Sequence, residues 1–289
     1  MTDSSTPQGL PVVTTGLVHV YRSEGHDVAA LSGVDLHVPA GSILALIGPS
    51  GAGKSTLLTL LGGLLQPSAG KIHVGPFQLE SMTQDQLYAY RALEIGLILQ
   101  GASRNLLPYL TPRRNVEFAQ ARAKAAHRSV PSAADVLSLC GLLDHADTPL
   151  AQLTPGQRQL AALAAALSTR PGLLLADEPT SQLDHHARDL VLGTIDHICQ
   201  QYGTTVVIVT HDPNVASQLP RTVTIRDGRI GAEGRAGRQF AVVAADGSLA
   251  LPAAVLQQLP PGTLVSVDLD GTDGTDRWTL TREDPEGTG

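Results

Sequence analysis

Ser42-Ile-Leu-Ala-Leu-Ile47-Gly48-Pro49-Ser50-Gly51-Ala52-Gly53-Lys54-Ser55-Thr56-Leu-Leu-Thr-Leu-Leu-Gly-Gly-Leu-Leu65 joins an apolar run to a glycine-rich turn and then to a leucine-rich helical run. Residues 42–47 have the length and continuity of a strand buried on both faces. Gly48 to Thr56 fit the P-loop pattern G-x-x-x-x-G-K-[ST], in the strand-to-helix context it requires. Its glycines let backbone N–H groups turn inward around phosphate oxygens, where a side chain would collide. Lys54, one of only three lysines in the chain, supplies a point charge to the β and γ phosphates. The Ser55 hydroxyl can bind Mg²⁺, and the helix that starts here adds its positive dipole end to the same anion.

Outward from this stretch, strands alternate with helices. Val12–Tyr21, Val34–Val38, Lys71–Val74, Ile95–Gln100, Leu173–Ala176 and Val206–Val209 read as strands. Lys54–Leu65, Thr83–Leu93, Thr154–Thr169 and His186–Tyr202 read as helices, as do parts of the Ala- and Leu-rich segment Gly101–Ala146. The alternation implies an α/β, doubly wound fold with a largely parallel sheet covered on both faces. Leu173-Leu-Leu-Ala-Asp177-Glu178 ends such a strand in two acids. Beside a P-loop, Asp177 suits the Mg²⁺ shell and Glu178 can polarise water toward the γ phosphate.

Composition narrows the class. Of 289 residues, 42% are hydrophobic and 16% charged, which fits a folded chain and not a disordered one. The longest apolar runs fall far short of the roughly 20 residues that span a bilayer, and Met1–Gly9 lacks a signal-peptide pattern. Cys140 and Cys199 stand far apart with no CxxC, so they read as small core residues in a reducing compartment. A formal charge of −7 with 3% aromatics argues against a nucleic-acid binder.

Taken with their order and spacing, these motifs resemble the ABC-transporter ATPase subunits from about Val12 to Ile230. Gln100 stands where that family keeps its Q-loop, and Leu153-Thr154-Pro155-Gly156-Gln157 stands at the signature. Ser181-Gln-Leu-Asp184 resembles the D-loop, and His211 the switch histidine. Tyr21 lies where the family keeps a ring that stacks on adenine. Leu57–Gly63, Asn105–Val116 and Leu173–Asp184 are closest to the lipoprotein-release and macrolide-export branch. The resemblance implies a P-loop NTPase cassette: a RecA-like parallel core, an antiparallel β subdomain, and a helical subdomain at about 101–170.

It also implies ATP and Mg²⁺ as ligands. Glu178 and His211 would be catalytic, Ser55, Gln100 and Asp177 would attend the metal, and Tyr21, Gly48–Thr56, Gln100, Thr154, Gly156, Gln157 and Asp184 would bind nucleotide. Two such chains, identical or paralogous, would close head to tail on two ATP. They would drive integral-membrane permease subunits from the cytoplasmic face through the surface around Gln100–Thr111. A soluble member acting on ribosome or DNA, or a degenerate structural subunit, are the alternatives. The single cassette argues against the first and the intact acids against the second.

Two departures stand out. The family's signature Leu-Ser-Gly-Gly-Gln here has Thr154 for Ser and Pro155 for the first Gly, and Leu160 and Ala165 replace later arginines. Thr154 keeps a hydroxyl and can cap the helix, with Pro155 at its first position and Gln157 completing a capping box. Beyond Ile230, residues 231–238 read as a glycine-rich linker to a small appendage at 239–289. Its strands are expected at Phe240–Ala244, Thr263–Leu269 and Trp278–Thr281, with a helix at Ala253–Gln258. From Gly231 onward nine acids face four arginines, a net −5, and no lysine occurs. Residues 242–269 faintly resemble AbrB-like regulators, but the charge suits a dimerising or regulatory module and not a DNA reader. Residues 1–11 are expected to fray.

Overall fold

The computed structural model describes residues 9–23, 26–235, 238–243, 247, 249, 251, 253–260, 262–270 and 277–282. In chain order its elements are β1 (Val12–Ser23), β2 (His26–Val38), β3 (Ile43–Ile47), α1 (Lys54–Leu61), β4 (Ala69–Val74), β5 (Phe77–Gln78), α2 (Gln84–Leu93), β6 (Ile95–Ile98), α3 (Pro112–Ala119), α4 (Ala121–Ala125) and α5 (Ala133–Leu139). These are followed by α6 (Pro155–Leu167), β7 (Leu173–Asp177), α7 (His185–Tyr202), β8 (Thr205–Val209), α8 (Pro213–Gln218), β9 (Arg221–Arg226), β10 (Arg229–Arg235), β11 (Arg238–Ala241), α9 (Ala253–Gln258), β12 (Val265–Asp270) and β13 (Arg277–Arg282).

Three sheets result. A seven-stranded sheet runs β11-β10-β9-β3-β8-β7-β6, parallel from β9 to β6, and a four-stranded antiparallel sheet runs β2-β1-β4-β5. β12 and β13 form a separate antiparallel pair. Alternation along the buried strands explains why both faces of the parallel sheet are covered. Leu173 and Leu175 of β7, and Val207 and Val209 of β8, face one core with Leu57, Leu58, Leu60 and Leu61 of α1. Leu174 and Ala176, with Val206 and Ile208, face a second core shared with Leu160 and Leu163 of α6 and with Val191 and Ile195 of α7. Each fully buried leucine contributes about 1.5–3 kcal/mol, so α1 is held by its apolar side and not by a capping side chain.

The structure departs from the sequence reading in several places. β2 begins at His26, eight residues before the expected strand, because it pairs with β1 through Ser23↔His26. α1 stops at Leu61, where Gly62 and left-handed Gly63 (φ 63°) end the helix before Leu65. Residues 1–8, part of the segment expected to fray, lie outside the described residues. Gly9 to Pro11 do not fray: Gly9 is buried and the Leu10 N–H donates to the Gly172 carbonyl at 2.9 Å.

The largest correction concerns residues 231–238. Most of that expected linker is β10, which pairs with β9 from Arg229↔Arg226 to Arg235↔Arg221, with a shift of register between Ile230 and Glu233. The glycine at 231 marks a bulge, not a linker. The half-buried Glu233 carboxylate accepts from Arg221 at 2.7 and 3.1 Å and also pairs with Arg235, while Arg221 donates to the His37 carbonyl at 2.6 Å. Burial pushes the Glu233 carboxyl up, but the two arginines together outweigh it and hold it below the usual range.

β11 then continues the same sheet, so the cassette's sheet runs to Ala241 rather than Ile230. A chain ended after Arg229 is therefore expected to lose about 3–5 kcal/mol or to fail to fold, a Tm drop of ~10 °C or more. A chain ended after Val243 should melt within a few degrees of the parent. Thermal unfolding followed by circular dichroism checks both.

Candidate functional site

The turn after β3 is shaped by close backbone approach. A Cβ on Gly48 (φ 144°) would lie 2.1 Å from the Ile225 carbonyl oxygen, and one on Gly53 (φ 100°) would lie 2.3 Å from that of Ala30. Only glycine fits either place. Gly53 is the N-cap of α1 and offers no side chain, so the first N–H groups of the helix are left for an external acceptor. The Lys54 ammonium is folded back and donates to the Gly48 and Pro49 carbonyls, both at 2.8 Å. The loop is braced from below, where the Gly228 N–H donates to the Ala52 carbonyl at 3.2 Å.

Around this turn lies a cavity of about 1480 Å³. Tyr21, Gly48, Pro49, Ser50, Gly51, Gly53, Lys54, Ser55, Thr56, Gln100, Asp177, Glu178 and His211 all line it. Ala52 does not, because its methyl is buried in the core. The Tyr21 ring, 43% exposed, stands at the rim with its hydroxyl 3.3 Å from Thr56 Oγ1 and its edge toward His19 at a centroid distance of 4.8 Å. Asp177 ends β7 and Glu178 follows in the left-handed region (φ 50°), its N–H donating to the Val209 carbonyl at 2.9 Å. That strained backbone fixes a buried carboxylate at the cavity wall. His211, after β8, brings Nδ1 to 2.6 Å from Glu178 Oε1. A carboxylate held by an imidazole and facing a cationic, N–H-lined turn can accept a proton from water beside a bound phosphate.

Ser55, Gln100 and Asp177 present hard oxygen donors to the same space. Among the described residues no group of three His, Cys, Asp or Glu side chains could hold a metal by itself. That donor set fits Mg²⁺, which keeps waters and binds through one or two protein oxygens plus substrate phosphates.

Besides Ala52, four expected residues do not line the cavity: Thr154, Gly156, Gln157 and Asp184. Thr154 Oγ1 caps α6 by accepting from the Gln157 N–H at 3.2 Å, and Gln157 Oε1 accepts from the Thr154 N–H at 2.9 Å, with Pro155 at the first helical position. A Cβ on Gly156 would lie 2.8 Å from the Ala187 side chain, so this turn packs on the start of α7. Asp184 caps α7, Oδ1 accepting from the Ala187 N–H at 2.8 Å. These residues form a second cluster on the same chain.

The sequence reading missed a stretch of cavity wall. Thr222, Thr224, Asp227 and Arg229 of the β9–β10 hairpin line it, as do Leu249, Leu251 and Leu256 of the appendage. The Asp227-Gly228 pair between alternating strands was the available signal for the hairpin. No helix among the described residues is long and apolar enough to cross a membrane.

Comparison with known proteins accords with this geometry. The family model described as "ABC transporter" matches residues 31–181. The lipoprotein-releasing system ATP-binding protein LolD 1 of Caulobacter vibrioides is 36% identical over 217 residues, covering 74% of this chain and 92% of that protein. The macrolide export ATP-binding/permease protein MacB of Rhodopirellula baltica is 38% identical over 218 residues, covering 74% of this chain but only 32% of its own length. Among solved structures, the dimeric post-hydrolysis state of the ATP-binding cassette MJ0796 bound to ADP and Pi superposes with a TM-score of 0.70 at 31% identity. It covers 79% of this chain and all of that one.

Proposed function

Because the chain belongs to the ABC transporter family, as an ATP-hydrolysing cassette, we propose that two copies close head to tail on two ATP and drive integral-membrane permease subunits from the cytoplasmic face. The observation that carries this reading is the separation of two clusters on one chain. The P-loop, Asp177, Glu178 and His211 share a cavity, while Thr154, Gly156, Gln157 and Asp184 stand outside it. A nucleotide on the first cluster meets the second only when another cassette supplies it.

In this reading the P-loop N–H groups and Lys54 bind the β and γ phosphates, and Tyr21 stacks on adenine. Ser55, Gln100 and Asp177 would hold Mg²⁺, which when bound neutralises phosphate charge. Glu178 takes a proton from water as the water oxygen attacks the γ phosphorus. The bond to the bridging oxygen breaks, leaving ADP and inorganic phosphate. His211 keeps the Glu178 carboxylate aimed at that water.

Motion would pass to the permease through the segment after Gln100. Asn105 ties it down through Leu99 N–H at 2.8 Å and the Leu99 and Gly101 carbonyls at 2.8 and 3.0 Å. Asn115 holds Leu107 in the same way, leaving Tyr109 exposed at the tip. Chromatography of the tagged chain from detergent-solubilised membranes tests the partner. Retention of a multi-span membrane protein is expected, and recovery of the chain without any membrane protein would contradict it.

The altered signature has its own expected outcome. Thr154→Ala removes both the cap, about 1 kcal/mol, and the hydroxyl facing the second nucleotide, so turnover should fall about tenfold. Pro155→Gly leaves the capping box in place and should change turnover only about threefold. Steady-state ATP hydrolysis, with thermal unfolding alongside, separates the two.

A further inference from the structure

The first turn of α7 touches both clusters. Ala187 packs under Gly156 of the signature turn. The next residue, Arg188, reaches the other way, and its side chain is only 13% exposed. Nη1 lies 3.4 Å from Asp212 Oδ2 and Nη2 lies 2.5 Å from His185 Nδ1. Nε is 3.5 Å from Asp189 Oδ1 but makes no hydrogen bond. Asp212 directly follows His211, and its other oxygen accepts from the Asn214 N–H at 2.8 Å to cap α8. The Asn214 N–H first, and Arg188 after it, hold the Asp212 carboxyl below its ordinary range against partial burial.

A largely enclosed guanidinium with two long ion pairs, to Asp212 and Asp189, and an Nε that makes no hydrogen bond is poorly satisfied for a purely structural group. It sits on a continuous path from Gly156 through Ala187, Arg188, Asp212 and His211 to Glu178. We propose that Arg188 is a positioning residue that couples the seating of the Thr154–Gln157 turn on a partner's nucleotide to the aim of His211 at the chain's own. This rests on the head-to-tail reading above. When the signature turn moves against α7, the Arg188–Asp212 pair tightens and turns the loop that carries His211.

The test uses the full chain with Arg188→Ala, Arg188→Lys, Asp212→Asn and the Arg188→Ala/Asp212→Asn double variant. Steady-state ATP hydrolysis is measured beside equilibrium binding of trinitrophenyl-ATP and thermal unfolding. Arg188→Ala should lower kcat about tenfold with nucleotide affinity within about twofold, and Arg188→Lys should restore part of the rate. The double variant should be no slower than the slower single, as expected of two groups acting through one contact. Unchanged kcat in Arg188→Ala, a fall in affinity equal to the fall in rate, or additive losses would each overturn the proposal. Asp212 keeps its cap on α8 when Arg188 is removed, so the fold has independent support, and Arg188→Lys keeps the charge if Arg188→Ala does not fold. In a Glu178→Gln background, Arg188→Ala should still dimerise on ATP. Failure of Glu178→Gln itself to dimerise would instead strike at the head-to-tail reading.

Discussion

Glu178→Gln is expected to lower ATP turnover by about 10²–10⁴-fold and to leave a dimer that keeps its two ATP. The amide has the size of the carboxylate and can still accept a hydrogen bond from His211, but it cannot take the proton of the attacking water. Glu178 is buried, and its left-handed backbone fixes where the side chain points. The ligands assigned to Mg²⁺ and the P-loop are untouched, so binding should survive. Size-exclusion chromatography with light scattering, in ATP and Mg²⁺, should give twice the monomer mass. A monomer under those conditions, or turnover at the parent rate, removes Glu178 from its assigned role.

Lys54→Ala should act on binding itself. The ammonium donates to the Gly48 and Pro49 carbonyls, two neutral acceptors that exchange readily for a polyphosphate. Charge-assisted hydrogen bonds are worth roughly 1.5–3 kcal/mol each, so affinity should fall about 10- to 100-fold or more. The ligand-free Tm should change little, because the loop is also braced by Gly228 and by the close approach of Gly48 and Gly53 to neighbouring carbonyls. The rise in Tm that saturating ATP gives the parent should largely vanish. An unchanged ATP-induced rise would contradict the phosphate assignment.

Much of this site was legible because its physics is local. Glycines at 48 and 53 are demanded because a Cβ there would come within 2.5 Å of a neighbouring carbonyl, and the lysine after the second stands at a helix start that has no side-chain cap. The Thr154–Gln157 capping box was likewise readable from four consecutive residues, and it forms as expected. What the sequence concealed depends on distant partners. The glycines at 231 and 234 look like a linker until Glu233 finds Arg221, twelve residues away, and β10 zips onto β9. The first half of β2, His26-Asp-Val-Ala-Ala-Leu31, does not alternate, and its pairing with β1 makes it a strand. Gly9 and Leu10 are held by contacts to Gly203 and Gly172, more than 160 residues on. Arg188 carried no motif, and only the fold brings it to Asp212.

The appendage remains attached to the nucleotide end of the molecule. Leu249, Leu251 and Leu256 form part of the wall that the P-loop also lines, while β12 and β13 pair with each other. No motif residue lies beyond His211.

On the proposed head-to-tail reading, each nucleotide lies between the P-loop of one chain and the Thr154–Gln157 turn of another. Ser50 and Pro155 are both exposed, one on each cluster. The native Cys140 and Cys199 are buried, with the Cys140 thiol pushed by burial up to about 12, so neither competes under mild oxidation. The deciding measurement is therefore disulfide formation in a Glu178→Gln chain carrying Ser50→Cys and Pro155→Cys, read on a non-reducing gel. The account predicts a covalent dimer that forms with ATP and Mg²⁺ and is absent without nucleotide. A chain that stays monomeric with ATP, or crosslinks equally with and without it, would contradict the account.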